Sequence, residues 1–92
     1  MGEQDHDLRL YVAGTGAKSL RAIQIITRLC EAELAGRYRL EIVDVYRHPA
    51  RAVEDQIVAI PTLIKRAPGS IKRLVGDLSQ EARVRTGLGL AA

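Results

Sequence analysis

Polar and apolar residues follow two different periods in the first half of the chain. Residues 8–12 alternate leucine and valine with arginine and tyrosine, which is the period of a half-buried β-strand. From Ala17 to about residue 35, apolar residues recur at spacings of three and four, which predicts a long amphipathic helix stopped by Gly36. Residues 38–46 alternate again and become apolar in the middle, as expected of a strand buried on both faces.

The second half contains shorter segments divided by proline and glycine. Pro49 suits the first turn of a short helix. Residues 62–66 and 70–75 are strand-sized runs, and the Pro-Gly pair between them fits the central positions of a type II turn, so we expect an antiparallel hairpin. The segment Gly76–Ser79 then offers a serine cap for a last helix that reaches residue 85 or 86.

The predicted order, β-α-β-α-β-β-α, matches the thioredoxin-like architecture, an α/β fold with one mixed four-stranded sheet and three helices. Pro61 stands at the head of the third strand, although proline cannot donate to a sheet ladder. In the thioredoxin-like fold a cis-proline begins that strand, so we predict a cis Ile60–Pro61 bond. The length and the lack of a visible linker predict a single domain over residues 1–92, with a flexible tail at residues 1–7.

Composition narrows the class of partner without identifying one. With 47% hydrophobic and 27% charged residues, the chain has the balance of a soluble globular protein. Its net charge is +3, but it contains three tyrosines and neither Phe nor Trp, so the basic and aromatic surface of a nucleic-acid binder is not expected. The sequence has neither the pattern of a signal peptide nor a run of ~18 apolar residues, so we expect a cytoplasmic protein with no membrane partner.

The predicted turn between the first strand and the first helix lacks the residues of a redox site. Redox thioredoxins carry a Cys-x-x-Cys pair there, whereas this chain has Gly14–Ser19, GTGAKS, which also fits a phosphate-binding loop only in part. Cys30 lies about three turns along the helix and is predicted to pack in the core. Glu54 and Asp55 fit a solvated helix face. No spacing indicates metal ligands or a catalytic group, so we expect no cofactor, no metal and no enzymatic activity.

Three segments, LRLYVAG, YRLEIVDVYRHPARAVEDQIVAIPTL and IKRLVGDLS, together resemble the KaiB family of small clock proteins over about residues 8–90. The resemblance implies a non-enzymatic regulator that binds KaiC, a hexameric ATPase and kinase, and that helps to sequester KaiA. A histidine kinase of the same clock carries a similar thioredoxin-like domain, and relatives in bacteria without a complete clock have roles linked to stress. The family is also known for switching to a second fold, often tetrameric, so a homo-oligomer is compatible with the resemblance.

The resemblance also assigns individual residues. The basic positions of the family pattern fall on four residues, which are candidates for partner contact: Arg9, Arg21, Lys72 and Arg73. The strand-start and turn positions fall on three structural residues: Pro61, Gly76 and Asp77. Glu41 departs from the family, which commonly has lysine there, so a contact that relies on that positive charge is in doubt.

The C-terminal end departs from the family as well. Where the family continues with apolar and aromatic residues and an acidic tail, residues 86–92 read TGLGLAA. An alternative packing of this half would bury less apolar surface, at roughly 25 cal/mol per Å². We therefore predict that the thioredoxin-like arrangement is the resting state. Two other interpretations remain open: a thiol oxidoreductase, which the turn without cysteine disfavours, and a stand-alone thioredoxin-like sensor or interaction domain.

Overall fold

The computed structural model describes residues 5–76 and 78–90. Its helices and strands follow the predicted order: β1 His6–Val12, α1 Ala17–Glu33, β2 Tyr38–Asp44, α2 Pro49–Glu54, β3 Thr62–Ala67, β4 Lys72–Val75 and α3 Glu81–Gly87. The strands form one four-stranded sheet in the order β2-β1-β3-β4. β1 and β2 are parallel, whereas β3 is antiparallel to both β1 and β4. The predicted thioredoxin-like fold, with its mixed sheet and three helices, is therefore confirmed.

Side chains on the two faces of the sheet form two separate cores. On one face, Leu8, Leu10 and Val12 of β1 pack with buried side chains of α1 and with Val84 of α3. On the other face, a smaller core joins Tyr11, Val43 and Ile64 to partly buried residues in and after α2: Ala52, Ile57 and Ile60. The short helix α2 thus covers the face that carries Arg9 and Tyr11, and it covers that face only in part.

The entry to β3 matches the prediction for Pro61. The Ile60–Pro61 peptide bond is cis and Pro61 is buried. The Pro61 carbonyl accepts a hydrogen bond from the Gly76 amide at 3.2 Å, and Gly76 has a φ of 97°, which glycine adopts without strain. The third structural residue, Asp77, lies outside the described residues.

The β3–β4 hairpin is wider than predicted. Its last paired residues are Lys65 and Lys72, so six residues lie between the last pair, whereas a tight type II turn would leave two. The Lys65 side chain explains the difference, because its buried ammonium donates to the carbonyls of Pro68 and Ser70 inside the loop.

α2 is short, as predicted, and it ends at Glu54 because the chain turns at Gln56, whose φ is positive at 55°. Two predicted boundaries need correction. The N-cap of α3 is Gln80 rather than Ser79. β1 begins at His6, inside the stretch assigned to a flexible tail, because the His6 amide donates to the Arg37 carbonyl at 3.0 Å. Residues 1–4 of that stretch lie outside the described residues.

Candidate functional site

The turn between β1 and α1 occupies the place of a redox site but holds no thiol. The hydroxyl of Ser19, a buried residue, accepts a hydrogen bond from the Ala13 amide at 3.0 Å. The Asp44 carboxylate accepts from the amides of Gly14 and Tyr46 at 3.2 and 2.9 Å. The Ser19 hydroxyl and the Asp44 carboxylate are thus engaged in holding the shape of this turn.

Cys30 packs in the core, as predicted. Its side chain is fully buried among the residues between the sheet and α1, and it is a free thiol. Burial raises the pKa of Cys30 to about 11, and the neighbouring Glu31 carboxylate adds to the increase. The thiol is therefore protonated at neutral pH and does not act as a nucleophile.

Sites for small ligands are not evident in the part of the chain that the structure describes. Residues 5–76 and 78–90 contain no group of three or more side chains that could hold a metal ion. They enclose no ligand-sized cavity either. None of the helices in these residues is long and apolar enough to cross a membrane.

The main polar feature is a cluster of five side chains on the α2 face of the sheet, which we call the Arg9 cluster: Arg9, Tyr11, Glu41, Arg51 and Asp55. Arg9 lies between two carboxylates, with its Nε 3.0 Å from Glu41 and one terminal nitrogen 2.9 Å from Asp55. Arg51 binds the Glu41 carboxylate in a bidentate manner, at 2.5 and 2.9 Å. Paired bonds of this kind fix both position and orientation. The cluster thus ties α2 to β1 and β2.

Tyr11 adds a buried hydroxyl to the Arg9 cluster. Its ring is fully buried in the smaller core, and its hydroxyl donates to the Asp55 carboxylate at 2.6 Å. The Arg51 carbonyl lies 3.1 Å from the same hydroxyl. A buried tyrosine hydroxyl needs a partner of this kind, and Asp55 provides it.

The charges of the Arg9 cluster are stable at neutral pH. The hydrogen bonds from Arg51 lower the pKa of Glu41 to about 2, and the one from Arg9 adds to the effect. The hydrogen bond from Tyr11, followed by that from Arg9, lowers the pKa of Asp55. Burial, and then the bond to Asp55, raises the pKa of Tyr11. Both carboxylates are therefore ionised and Tyr11 is neutral, so the cluster is structural rather than a proton-transfer site.

Asp55, which was predicted to lie on a solvated helix face, instead belongs to the Arg9 cluster. The Asp55 side chain is 26% exposed, and it accepts bonds from both Arg9 and Tyr11. One signal was available: Tyr11 lies in the smaller core between Val43 and Ile64, where its hydroxyl requires an acceptor. The position of that acceptor depends on how α2 ends, which the sequence pattern did not predict.

The four basic residues assigned to partner contact do not form one surface. Arg9 and Arg73 both bond to residues that follow α2. Arg9 binds the Asp55 carboxylate, and Arg73 donates to the carbonyls of Asp55 and Gln56 at 2.5 and 3.4 Å. Lys72 points to the opposite face of the sheet, since successive strand residues alternate. Arg21 lies on the second turn of α1 and is exposed. The Arg9 side chain is only 20% exposed, so little of its charge is available to a partner.

Apolar side chains are exposed in loops at the carboxyl end of β1. Val58, just before the cis-proline, is 93% exposed, and Tyr46, which follows β2, is 77% exposed. The Tyr46 ring lies beside Gly14, about 3.5 Å from where a Cβ on that glycine would be. These two exposed apolar side chains lie at the same end of the sheet, where a second protein could contact them.

Comparison of the sequence with known proteins shows similarity over most of the chain. A family model described as KaiB domain matches residues 9–90. A circadian clock protein named KaiB3, from a Synechocystis species, is 43% identical over 81 residues, which cover 88% of this chain and 79% of the relative. A circadian clock oscillator protein named KaiB, from Parasynechococcus marenigrum, is 45% identical over 83 residues, which cover 90% of this chain and 80% of the relative.

Comparison with solved structures supports the fold. The N-terminal domain of SasA from Synechococcus elongatus superposes with a TM-score of 0.74 at 26% identity, over 97% of this chain and 88% of that domain. Mitochondrial thioredoxin 3 from Saccharomyces cerevisiae gives a TM-score of 0.75 at 19% identity, over 95% of this chain and 79% of its own. At that identity the thioredoxin shows a shared fold alone. The family match and the sequence identity together show that the chain belongs to the KaiB family.

Proposed function

We propose that this chain is a non-enzymatic KaiB-type regulator that binds a KaiC-like hexameric ATPase in clock or stress signalling. The observation that carries the proposal is the family match over residues 9–90, in a fold whose redox turn contains no thiol. The relatives at 43% and 45% identity are named as circadian clock proteins. A regulator of this kind acts by docking, which requires exposed side chains rather than a catalytic pocket.

The proposed docking surface is the carboxyl end of β1, with Arg21 as its basic contact. Val58 and Tyr46 supply exposed apolar area there, and α1 begins at the same end of the sheet. An apolar centre with a basic residue at its edge fits the usual composition of a protein interface. Lys72 lies toward the other end of the sheet, opposite Lys65, and is proposed as a peripheral contact.

We propose an indirect role for the other two basic residues. Arg9 is held between Glu41 and Asp55, and Arg73 donates to the backbone at the end of α2. Both therefore fix α2 on the sheet, and the loop that carries Val58 follows α2 directly. Substitution of either residue would change partner binding by displacing that loop rather than by removing a contact.

A second candidate function is a stand-alone interaction domain without a clock ATPase. Glu41 favours it, because the charge that the family commonly places there is reversed and the carboxylate is engaged by Arg9 and Arg51. A partner that relies on a lysine at this position would find an acidic group instead. A partner with a compensating basic group would still bind.

A pull-down with the KaiC-like ATPase of the same organism, in ATP and in ADP, tests the proposal. We expect retention that differs between the two nucleotides, and a dissociation constant raised about tenfold or more by Arg21→Glu. Arg66→Glu is the matched control, because Arg66 is exposed on β3 and carries the same charge. If the chain is retained neither in ATP nor in ADP, the result would contradict binding to a KaiC-like protein and favour the stand-alone domain. Equal binding by the two variants would contradict only the assignment of the surface.

We further propose that the protein is cytoplasmic and that a KaiA-like protein or a histidine kinase shares its partner. The kinase proposal draws on the similarity to the SasA domain, at 26% identity and a TM-score of 0.74. Two domains of one shape that bind the same ATPase would compete for it. Displacement of this chain from the ATPase by the isolated kinase domain is the expected result, and simultaneous binding of both would contradict a shared site.

A further inference from the structure

β2 is an edge strand whose outer side is open in the part of the chain that the structure describes. The opposite edge, β4, is only four residues long and begins with Lys72 and Arg73, features that discourage pairing with another chain. β2 is seven residues long and contains no proline, and its Ile42 side chain is 43% exposed. A long edge strand with exposed apolar residues can pair with a further strand.

The backbone hydrogen bonds show which groups of β2 face outward. The Arg37 carbonyl accepts from β1 at 3.0 Å, and the Val45 amide donates to β1 at 2.9 Å. Alternate residues of a strand direct their backbone groups to the same side, so the odd-numbered residues of β2 face β1. The N–H and C=O groups of Tyr38, Leu40 and Ile42 therefore point away from the sheet.

We propose that two copies of the chain pair antiparallel through their β2 strands, with Leu40 opposite Leu40 of the second copy. In this register Tyr38 of each copy exchanges two backbone hydrogen bonds with Ile42 of the other, and the two Leu40 residues exchange two more. The side chain of Tyr38 covers the exposed Ile42. The contact has two-fold symmetry, so it closes as a dimer and leaves no further edge on β2.

Charge favours this register over its neighbours. Arg39 lies opposite Glu41 of the second copy, at the non-hydrogen-bonded position where side chains approach most closely. A shift of two residues one way places Glu41 opposite Glu41, and a shift the other way places Arg39 opposite Arg39. Like charges directly opposite each other are destabilising, whereas opposite charges are favourable.

Both members of the charge pair are available. Arg39 is exposed and takes part in none of the ion pairs among residues 5–76 and 78–90. Glu41 accepts three bonds within its own copy, two on Oε1 and one on Oε2. A carboxylate can accept about four, so one position remains on Oε2. Because the Glu41 side chain is 41% exposed, an arginine of a second copy can reach it.

Sedimentation velocity of the full chain over a range of concentrations gives the first test. We expect a monomer–dimer equilibrium, and Arg39→Glu should raise its dissociation constant about tenfold or more, because two favourable pairs become two repulsive ones. Arg47→Glu, at an exposed position outside β2, is the matched control and should leave the equilibrium unchanged. A chain that stays monomeric up to about 1 mM, or equal dissociation constants for the two variants, would overturn the proposal.

Cysteine cross-linking tests the register directly. In Leu40→Cys the two new cysteines face each other, and their Cα atoms are about 5.5 Å apart, within the range for a disulfide. In Ile42→Cys, at a more exposed position, they lie about 14 Å apart along the strands, beyond that range. Oxidation should therefore link two Leu40→Cys chains and spare Ile42→Cys chains, while the buried Cys30 stays unreacted. A link in Ile42→Cys but not in Leu40→Cys would refute this register. So would the lack of a link in both variants if the chain sediments as a dimer.

Discussion

Replacement of Glu41 tests whether the Arg9 cluster stabilises the fold. Glu41 accepts three charge-assisted hydrogen bonds, at 3.0, 2.5 and 2.9 Å, but its side chain is 41% exposed, so solvent screens them. We therefore expect Glu41→Gln to lower the free energy of unfolding by about 1 kcal/mol, near the upper end for exposed ion pairs. Glu41→Lys, which places the family's common residue between two arginines, should lower it by about 2 kcal/mol.

The pH dependence separates charge from packing. The pKa of Glu41 in the folded chain is depressed from its ordinary value of 4.5 to about 2. Its stabilising effect is therefore fully present above pH 4.5 and is lost as the pH falls toward 2. Wild type and Glu41→Gln should thus differ at pH 7 and converge at the acid end of this window.

Urea unfolding followed by circular dichroism at several pH values gives the measurement. Glu54→Gln is the matched control, because Glu54 is exposed on α2, outside the Arg9 cluster, and should show no change at any pH. Equal stability of wild type and Glu41→Gln at pH 7 would refute a stabilising role for the cluster. A difference that stays constant from pH 7 to the acid end would show that the ion pairs are not its cause.

Three further predictions concern single side chains. Tyr11→Phe removes the hydroxyl that donates to the cluster, and urea unfolding should show a loss of about 1 to 2 kcal/mol; an unchanged midpoint would contradict the bond. Cys30, whose pKa is raised to about 11, should react with iodoacetamide at pH 8 only after unfolding, and rapid labelling of the native chain would show that its thiol is accessible. Gly87→Ala places a Cβ 2.6 Å from the Leu74 side chain and should lower stability by about 1 to 3 kcal/mol. In the control, Gly16→Ala, the nearest atom is 3.6 Å away, and equal thermal stability of the two variants would contradict the steric argument.

Much of the fold follows from local signals in the sequence. The alternation in residues 8–12 and the helical period that begins at Ala17 each reflect one buried face, so they predict β1 and α1 directly. The cis bond at Pro61 was predictable from the order of elements, because the thioredoxin-like fold begins its third strand with a cis-proline and the cis form costs little before proline.

The details that the sequence did not predict depend on contacts between distant segments. The width of the β3–β4 hairpin depends on the ammonium of Lys65, which donates to carbonyls inside the loop. The role of Asp55 depends on where α2 ends relative to β1. The four basic residues matched the family pattern one at a time, but a linear pattern does not show that Arg9 and Arg73 are engaged at the end of α2.

The Arg9 cluster has a consequence for the order in which the chain is made. All five of its side chains lie between residues 9 and 55, ahead of the cis-proline and of β3. The ion pairs that attach α2 to β1 and β2 therefore require no residue of the C-terminal hairpin. Because chains are made from the N-terminus, the hairpin is added last, to a segment that already contains every partner of these ion pairs.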